Sequence, residues 1–135
     1  MKKKILVDMS ATLIHHGHIR LLQKAKKNGD VIVALTKDNE IKKHKGYPPE
    51  LNYSQRREVL LAIKYVDKVI PSNFLIDDNF LIKNKIDLMI HGHDNKNKIN
   101  KKKCLIFKRT KGISSTILRK KAKKCLNLNL KRIKE

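Results

Sequence analysis

The segment Val31-Ile-Val-Ala-Leu35, closed by Thr36, carries no polar residue on either of the two faces that a strand would present. A run of this kind needs an apolar layer on both sides, and that condition is met inside a parallel sheet covered by helices. The flanking sequence alternates between short apolar runs and helical spacing. Lys4-Ile-Leu-Val-Asp8 is a short apolar run ending in a polar turn, and His18 to Lys27 follows with Ile19, Leu21, Leu22 and Ala25 at helical intervals. Asn28-Gly29-Asp30 then supplies a helix stop. Residues 37–52 are polar, hold Lys42, Lys43, Lys45, Gly46 and Pro48-Pro49, and show no periodicity, so they read as a long functional loop. Ser54 is placed to cap a helix reaching about Tyr65 with Val59, Leu60 and Ile63 on one face, and Val66 to Ile70 forms a strand that Pro71 ends. Leu75 to Lys85 reads as helix, Ile86 to Ile90 as strand, His91 to Asn100 as loop, Cys104 to Phe107 as strand, and Ser114 opens a last helix. The order β-α-β-α-β-α-β-β-α predicts an α/β fold, a Rossmann-like doubly wound parallel sheet in a single three-layer domain.

The 135 residues are enough for one core without staples. Cys104 and Cys125 stand in no CxxC or Cys/His pattern, which argues against a disulfide scaffold and a zinc module and favours a reducing, cytoplasmic setting. No apolar run reaches membrane-spanning length, so no transmembrane segment is expected. Thirty-three Lys and Arg against twelve Asp and Glu give a net charge of +21, of which +15 falls in residues 96–135. Such a balance suits phosphate-bearing partners. Only six of the cations are Arg and there is no Trp, so the forks and stacking rings of base readout are scarce, and no specific nucleic acid is expected.

In a doubly wound sheet, ligands bind beyond the carboxyl ends of the strands. Residues 8–18, 36–46, 91–95 and 108–116 occupy those places. Ser10-Ala-Thr-Leu-Ile-His15-His16-Gly17-His18 follows the first strand; His15 and His18 can converge on one side of a turn, and Gly17 allows close backbone approach. The helix that begins there offers free N–H groups to a polyphosphate. A His-x-x-His pair can also bind metal, although no carboxylate or thiol stands beside it in sequence, or serve only as polar turn residues. Lys108-Arg109-Thr110-Lys111-Gly112-Ile113-Ser114-Ser115-Thr116 again combines cations, hydroxyls and a helix start. An ordinary Ser cap accounts for Ser114 or Ser115 but not for Arg109, Thr110 and Gly112.

His15-x-Gly-His18 together with Arg109-Thr-Lys-Gly-Ile-Ser-Ser-Thr116 resembles the small bacterial cytidylyltransferases of the HxGH nucleotidyltransferase superfamily, the glycerol-3-phosphate cytidylyltransferase-like family. The likeness runs from residue 3 to about 122 and takes in Lys43-x-Lys45, Gln55-Arg56, Tyr65 to Pro71 and Gly92-x-Asp94. It implies a nucleotidyltransferase domain over residues 1–122, with residues 123–135 a basic C-terminal extension. The implied reaction is attack by a phosphorylated alcohol on the α-phosphorus of CTP, with magnesium (Mg2+) present and pyrophosphate leaving. The implied catalytic set is His15, His18, Lys43, Lys45 and Arg109. The implied nucleotide-binding set is Met9, Ser10, Gly17, His18, Lys64, Gly92, Asp94, Arg109, Thr110, Ser114 and Ser115, with metal ligands unspecified. A homodimer is implied as well. The chain departs from the pattern at Met9-Ser-Ala-Thr12, where Thr12 replaces a carboxylate, and Lys64 stands where an arginine is usual. The Met-Ser-Ala run is similar to the phosphonate-specific branch, which makes 2-aminoethylphosphonate an alternative acceptor; phosphocholine and phosphoethanolamine also remain open. Adenylyl transfer from ATP is the alternative chemistry.

Overall fold

A computed structural model describes residues 2–92 and 97–129. Five strands, β1 (Lys4–Met9), β2 (Asp30–Thr36), β3 (Lys68–Ser72), β4 (Leu88–His91) and β5 (Cys104–Ile106), form one sheet in the order β3-β2-β1-β4-β5. Every pairing is parallel. The order reverses between β1 and β4, so the crevice at their carboxyl ends is the place where such a sheet holds a ligand.

The alternation along the strands builds two apolar layers. Ile5, Val7 and Met9 of β1 and Val31, Val33 and Leu35 of β2 face one way, covered by Leu22 and Ala25 of helix α1 (His16–Lys26) and Leu60 of helix α3 (Tyr53–Leu61). Leu6, Ile32, Ala34 and Met89 face the other way, covered by Leu81 of helix α4 (Asp78–Lys83) with Ile76 and Ile86. Helices thus flank the sheet on both sides, as the doubly wound reading requires. Gly29 is needed at the start of β2: a Cβ there would lie 2.2 Å from the Lys3 carbonyl oxygen, and φ is +156°.

Several element boundaries differ from the sequence expectation, each for a local reason. Residues 37–52 are not all loop, since helix α2 spans Asp38–Lys45. Only Ile41 of α2 is buried, so no apolar stripe announces it; it is held by acidic residues in its first turn, basic ones in its last, and Gly46 at φ +81°. The cap of α3 is Asn52 rather than Ser54, because Asn52 and Gln55 make a reciprocal capping box, at 3.0 and 2.9 Å. Helix α3 ends at Leu61, before Tyr65, and Val59 is 41% exposed while Leu60 is buried. Strand β3 begins at Lys68 and runs through Pro71, which an edge strand tolerates because one side of its backbone needs no donor. Helix α4 is shorter than residues 75–85, starting at its Asp77 cap. Helix α5 (Ser115–Asn129) starts after Ser114, whose Oγ accepts from Ile117 N–H at 3.0 Å.

Arg56 joins these parts. It is fully buried and spends its donors on the Leu51 carbonyl (3.0 Å), the Ser10 carbonyl (2.7 Å), the Thr36 carbonyl (2.9 Å) and the Asp38 carboxylate (2.6 Å). Arg56→Met keeps the approximate volume but leaves three carbonyls without a donor, and we expect it to cost about 3 kcal/mol. Urea unfolding followed by circular dichroism checks this, and a variant as stable as the unaltered protein contradicts it.

Candidate active site

A cleft of about 660 Å³ opens beyond the carboxyl ends of β1, β4 and β5. Its lining includes Arg20, Lys24, Lys45, Lys108, Arg109 and Arg119, with Asp8 as the one carboxylate among the described residues. A surface so cationic suits a polyanion.

The histidine pair is built by the start of α1. His15 is its N-cap, and its Nδ1 accepts from Gly17 N–H at 3.1 Å. His18 Nδ1 accepts from His15 N–H, also at 3.1 Å. Each Nδ1 lone pair is therefore committed to a backbone donor, and the neutral form of each ring carries its proton on Nε2. The rings lie 4.0 Å apart between centroids, tilted by 41°. Gly17 is needed for a reason the sequence did not disclose: a Cβ there would come within 2.8 Å of the His15 ring and 3.3 Å of Ile113 Cγ2.

Ile113 belongs to the second motif, so the two motifs that stand almost a hundred residues apart in the chain meet at Gly17. Ser115 Oγ donates to the Leu13 carbonyl at 3.2 Å, which ties the start of α5 to the segment before His15. That bond commits the Ser115 proton. The Ser114 hydroxyl acts as acceptor to Ile117 N–H and retains its own proton for a ligand.

Met9, Ser10, Gly17, His15, His18, Lys45, Gly92, Arg109, Thr110, Ser114 and Ser115 all line this cleft. Lys43 and Lys64 do not: Lys43 is exposed on α2, and Lys64 follows α3 with its Nζ 5.2 Å from the Tyr65 ring centroid. Asp94, with His93, lies outside the described residues. The strand ends add groups that motif reading passed over. Asp8 pairs with His91 Nδ1 and accepts from Asn97 Nδ2 at 3.0 Å, while Asn97 Oδ1 accepts from Ile76 N–H at 2.6 Å. Their signal was positional, since Asp8 and His91 are the first residues of two of the strand-end windows. Arg119 donates to Thr12 Oγ1 at 2.7 Å and to Glu50 at 2.6 and 2.8 Å, and it stands one helical turn beyond Ser115.

Burial, with the neighbouring His15 and Lys45, pushes the His18 pKa down to about 4, and burial also lowers that of His15. Near neutral pH the His18 ring is an uncharged Nε2–H donor. Because its folded pKa lies below the unfolded value, it stabilises the fold above about pH 6.5, and that contribution is lost as the pH falls toward 4. We expect NMR titration of the free protein to place His18 near pH 4, and added pyrophosphate to raise that midpoint by at least about one unit through charge attraction. A midpoint near 6.5 that pyrophosphate leaves unmoved contradicts this account.

Comparison with known proteins agrees with the geometry. The family model described as cytidylyltransferase-like matches residues 10–121. The chain is 38% identical over 122 residues to a glycerol-3-phosphate cytidylyltransferase of Staphylococcus aureus, covering 84% of this chain and 90% of that protein. It is 40% identical over 98 residues to an FAD synthase of Pyrococcus horikoshii, covering 69% of this chain and 64% of that protein. Among solved structures, a lipopolysaccharide core biosynthesis protein from Thermoplasma volcanium superposes with a TM-score of 0.63 at 19% identity, covering 82% of this chain and 98% of that one, a likeness of fold alone.

Proposed function

Since the chain belongs to the cytidylyltransferase-like family, we propose that it transfers CMP from CTP to a small phosphorylated alcohol of the glycerol 3-phosphate kind and releases pyrophosphate. The observation that carries this reading is the meeting of His15-x-Gly-His18 with Arg109 to Ser115 in one cationic cleft. A phosphate oxygen of the acceptor attacks the α-phosphorus of CTP, a new P–O–P link forms, and the bond to the β-phosphate oxygen breaks. Little covalent help is required of the protein, so positioning and charge neutralisation carry the rate. The Nε2–H groups of His15 and His18 donate to the phosphoryl oxygens as charge builds on them. Arg109, Thr110 and the Ser114 hydroxyl hold the departing phosphates, and Met9, Ser10, Gly17 and Gly92 form the walls beside the nucleotide. Lys45 stands near the incoming phosphate.

Magnesium is part of this proposal as a counter-ion carried on the triphosphate. Among the described residues no cluster of three His, Cys, Asp or Glu side chains is shaped to hold a metal, and Asp8 is already engaged by His91 and Asn97. Carried on the triphosphate, the ion would supply charge screening of the phosphates, and the protein's own part would be the cations that line the cleft. A homodimer and a cytoplasmic location belong to the same reading; no helix of the described residues is long and apolar enough to cross a membrane.

The test is pyrophosphate release from CTP or ATP with magnesium, across glycerol 3-phosphate, phosphocholine, phosphoethanolamine and 2-aminoethylphosphonate. We expect CTP with glycerol 3-phosphate to turn over, and chelation of magnesium to abolish the signal. His18→Ala is expected to lower kcat by at least about 100-fold with the fold intact. ATP-only turnover would replace this reading with adenylyl transfer, the chemistry suggested by the likeness to the FAD synthase. No turnover with any pair would remove it.

A further inference from the structure

One charge pair at the rim of the cleft has no task in the reaction just described. The Nε and Nη2 of Arg119 form a two-point fork on the Glu50 carboxylate, at 2.8 and 2.6 Å, and Nη2 also reaches Thr12 Oγ1 at 2.7 Å. The guanidinium carbon lies 4.9 Å from the Tyr47 ring centroid. Arg119, Tyr47, Thr12 and Lys45 all line the cleft. Lys45 acts electrostatically on both His18 and Glu50, so its charge is felt by the fork and by the histidine pair alike.

The pair is poorly explained as a structural strut. The Arg119 and Glu50 side chains are 27% and 37% exposed, and ion pairs with that much water contribute little to stability. What the pair does offer is shape, because a guanidinium fork meets a carboxylate and a phosphate with the same planar, two-point geometry. Lys45 and Glu50 lie in the connection after β2, whereas Arg109 and helix α5, which carries Arg119, follow β5, and β1 with the histidines beyond its end lies between those strands in the sheet. The fork on Glu50 brings Arg119 across to the Lys45 side, away from Arg109 at the start of that segment. Two cationic groups on either side of the histidines match two anionic reactants meeting there.

We propose that Arg119, with Lys45, is the seat for the anionic phosphoryl group of the acceptor, that Glu50 occupies the fork while the cleft is empty, and that the incoming dianion displaces it. This assignment rests on the nucleotidyl-transfer reading and names the residue that reads the second substrate. A dianion competes well against a single carboxylate for two cations, and the exposed pair is cheap to break.

Opposite signs in two variants separate this from a strap. With the acceptor that turns over best in the panel above, Arg119→Ala is expected to raise the acceptor KM about 10-fold or more while the KM for CTP stays within about two-fold. Arg119→Lys should fall between, because it keeps the charge and loses the fork. Glu50→Gln removes the resident competitor and is expected to lower the acceptor KM about three-fold. A mere strap moves Arg119→Ala and Glu50→Gln in the same direction, since either change cuts the same link. Equal rises in both variants, or an acceptor KM unmoved in Arg119→Ala of unchanged urea midpoint, overturns the assignment while leaving nucleotidyl transfer standing. Absence of turnover in the unaltered protein fells both.

Discussion

A guanidinium shut away from water has to spend its donors on the protein around it, and where it spends them fixes what can move. Arg56 spends four on the exits of β1 and β2, the first turn of α2 and the loop before α3. These are the segments whose ends frame the cleft. Its grip on the Ser10 carbonyl adjoins Ala11, which is held in the left-handed region at φ +49° and is buried. A side chain rarely adopts that conformation without outside restraint. Restraint comes through Arg56 at the adjoining Ser10 carbonyl. The turn so made aims the chain toward the cap at His15.

From that turn the electrostatics of the site follow in order. The histidines are placed by backbone amides, the second motif is docked on them through Ile113 and Ser115, and the lysine and arginine side chains are left to face the cleft. A chain with +21 of formal charge has cations to spare. The ones in the cleft differ from the rest in converging on one concave surface beside the histidine pair, where their fields add. Among the described residues lining the cleft the one acid, Asp8, is tied to His91 and Asn97.

How much of this could be read beforehand depended on what held each part. The sheet was legible because Val31 to Leu35 and Ile5 to Val7 must be covered on both faces, and their apolar runs say so directly. The paired motifs were legible because histidines, glycine and hydroxyls at strand ends have few structural uses. Helix α2 was hidden because its ends, rather than a stripe, hold it, with one buried apolar residue in eight. Helix α3 was displaced by two residues because Asn52 and Ser54 both make good caps, and only the reach of Gln55 decides between them. The links from Arg119 to Thr12 and Glu50 span 107 and 69 residues, and nothing in local composition encodes such pairings. Lys64, which the family resemblance sets where an arginine is usual, finds the Tyr65 ring rather than the cleft, since side-chain direction after a helix end is not carried by position in a motif.

The amides that occupy both Nδ1 atoms have a consequence for what this site can be evolved to do. An imidazole relays a proton by accepting on one nitrogen and releasing from the other, and here one nitrogen of each ring is closed off. His15 and His18 are one-port groups that can point a dipole but cannot pass hydrogen through. Chemistry that leaves every proton where it was, such as exchange of one phosphoryl partner for another, suits them. Hydrolysis, which must deprotonate a water, gains nothing from them, and an activated phosphate is thereby held in a pocket that does little to waste it.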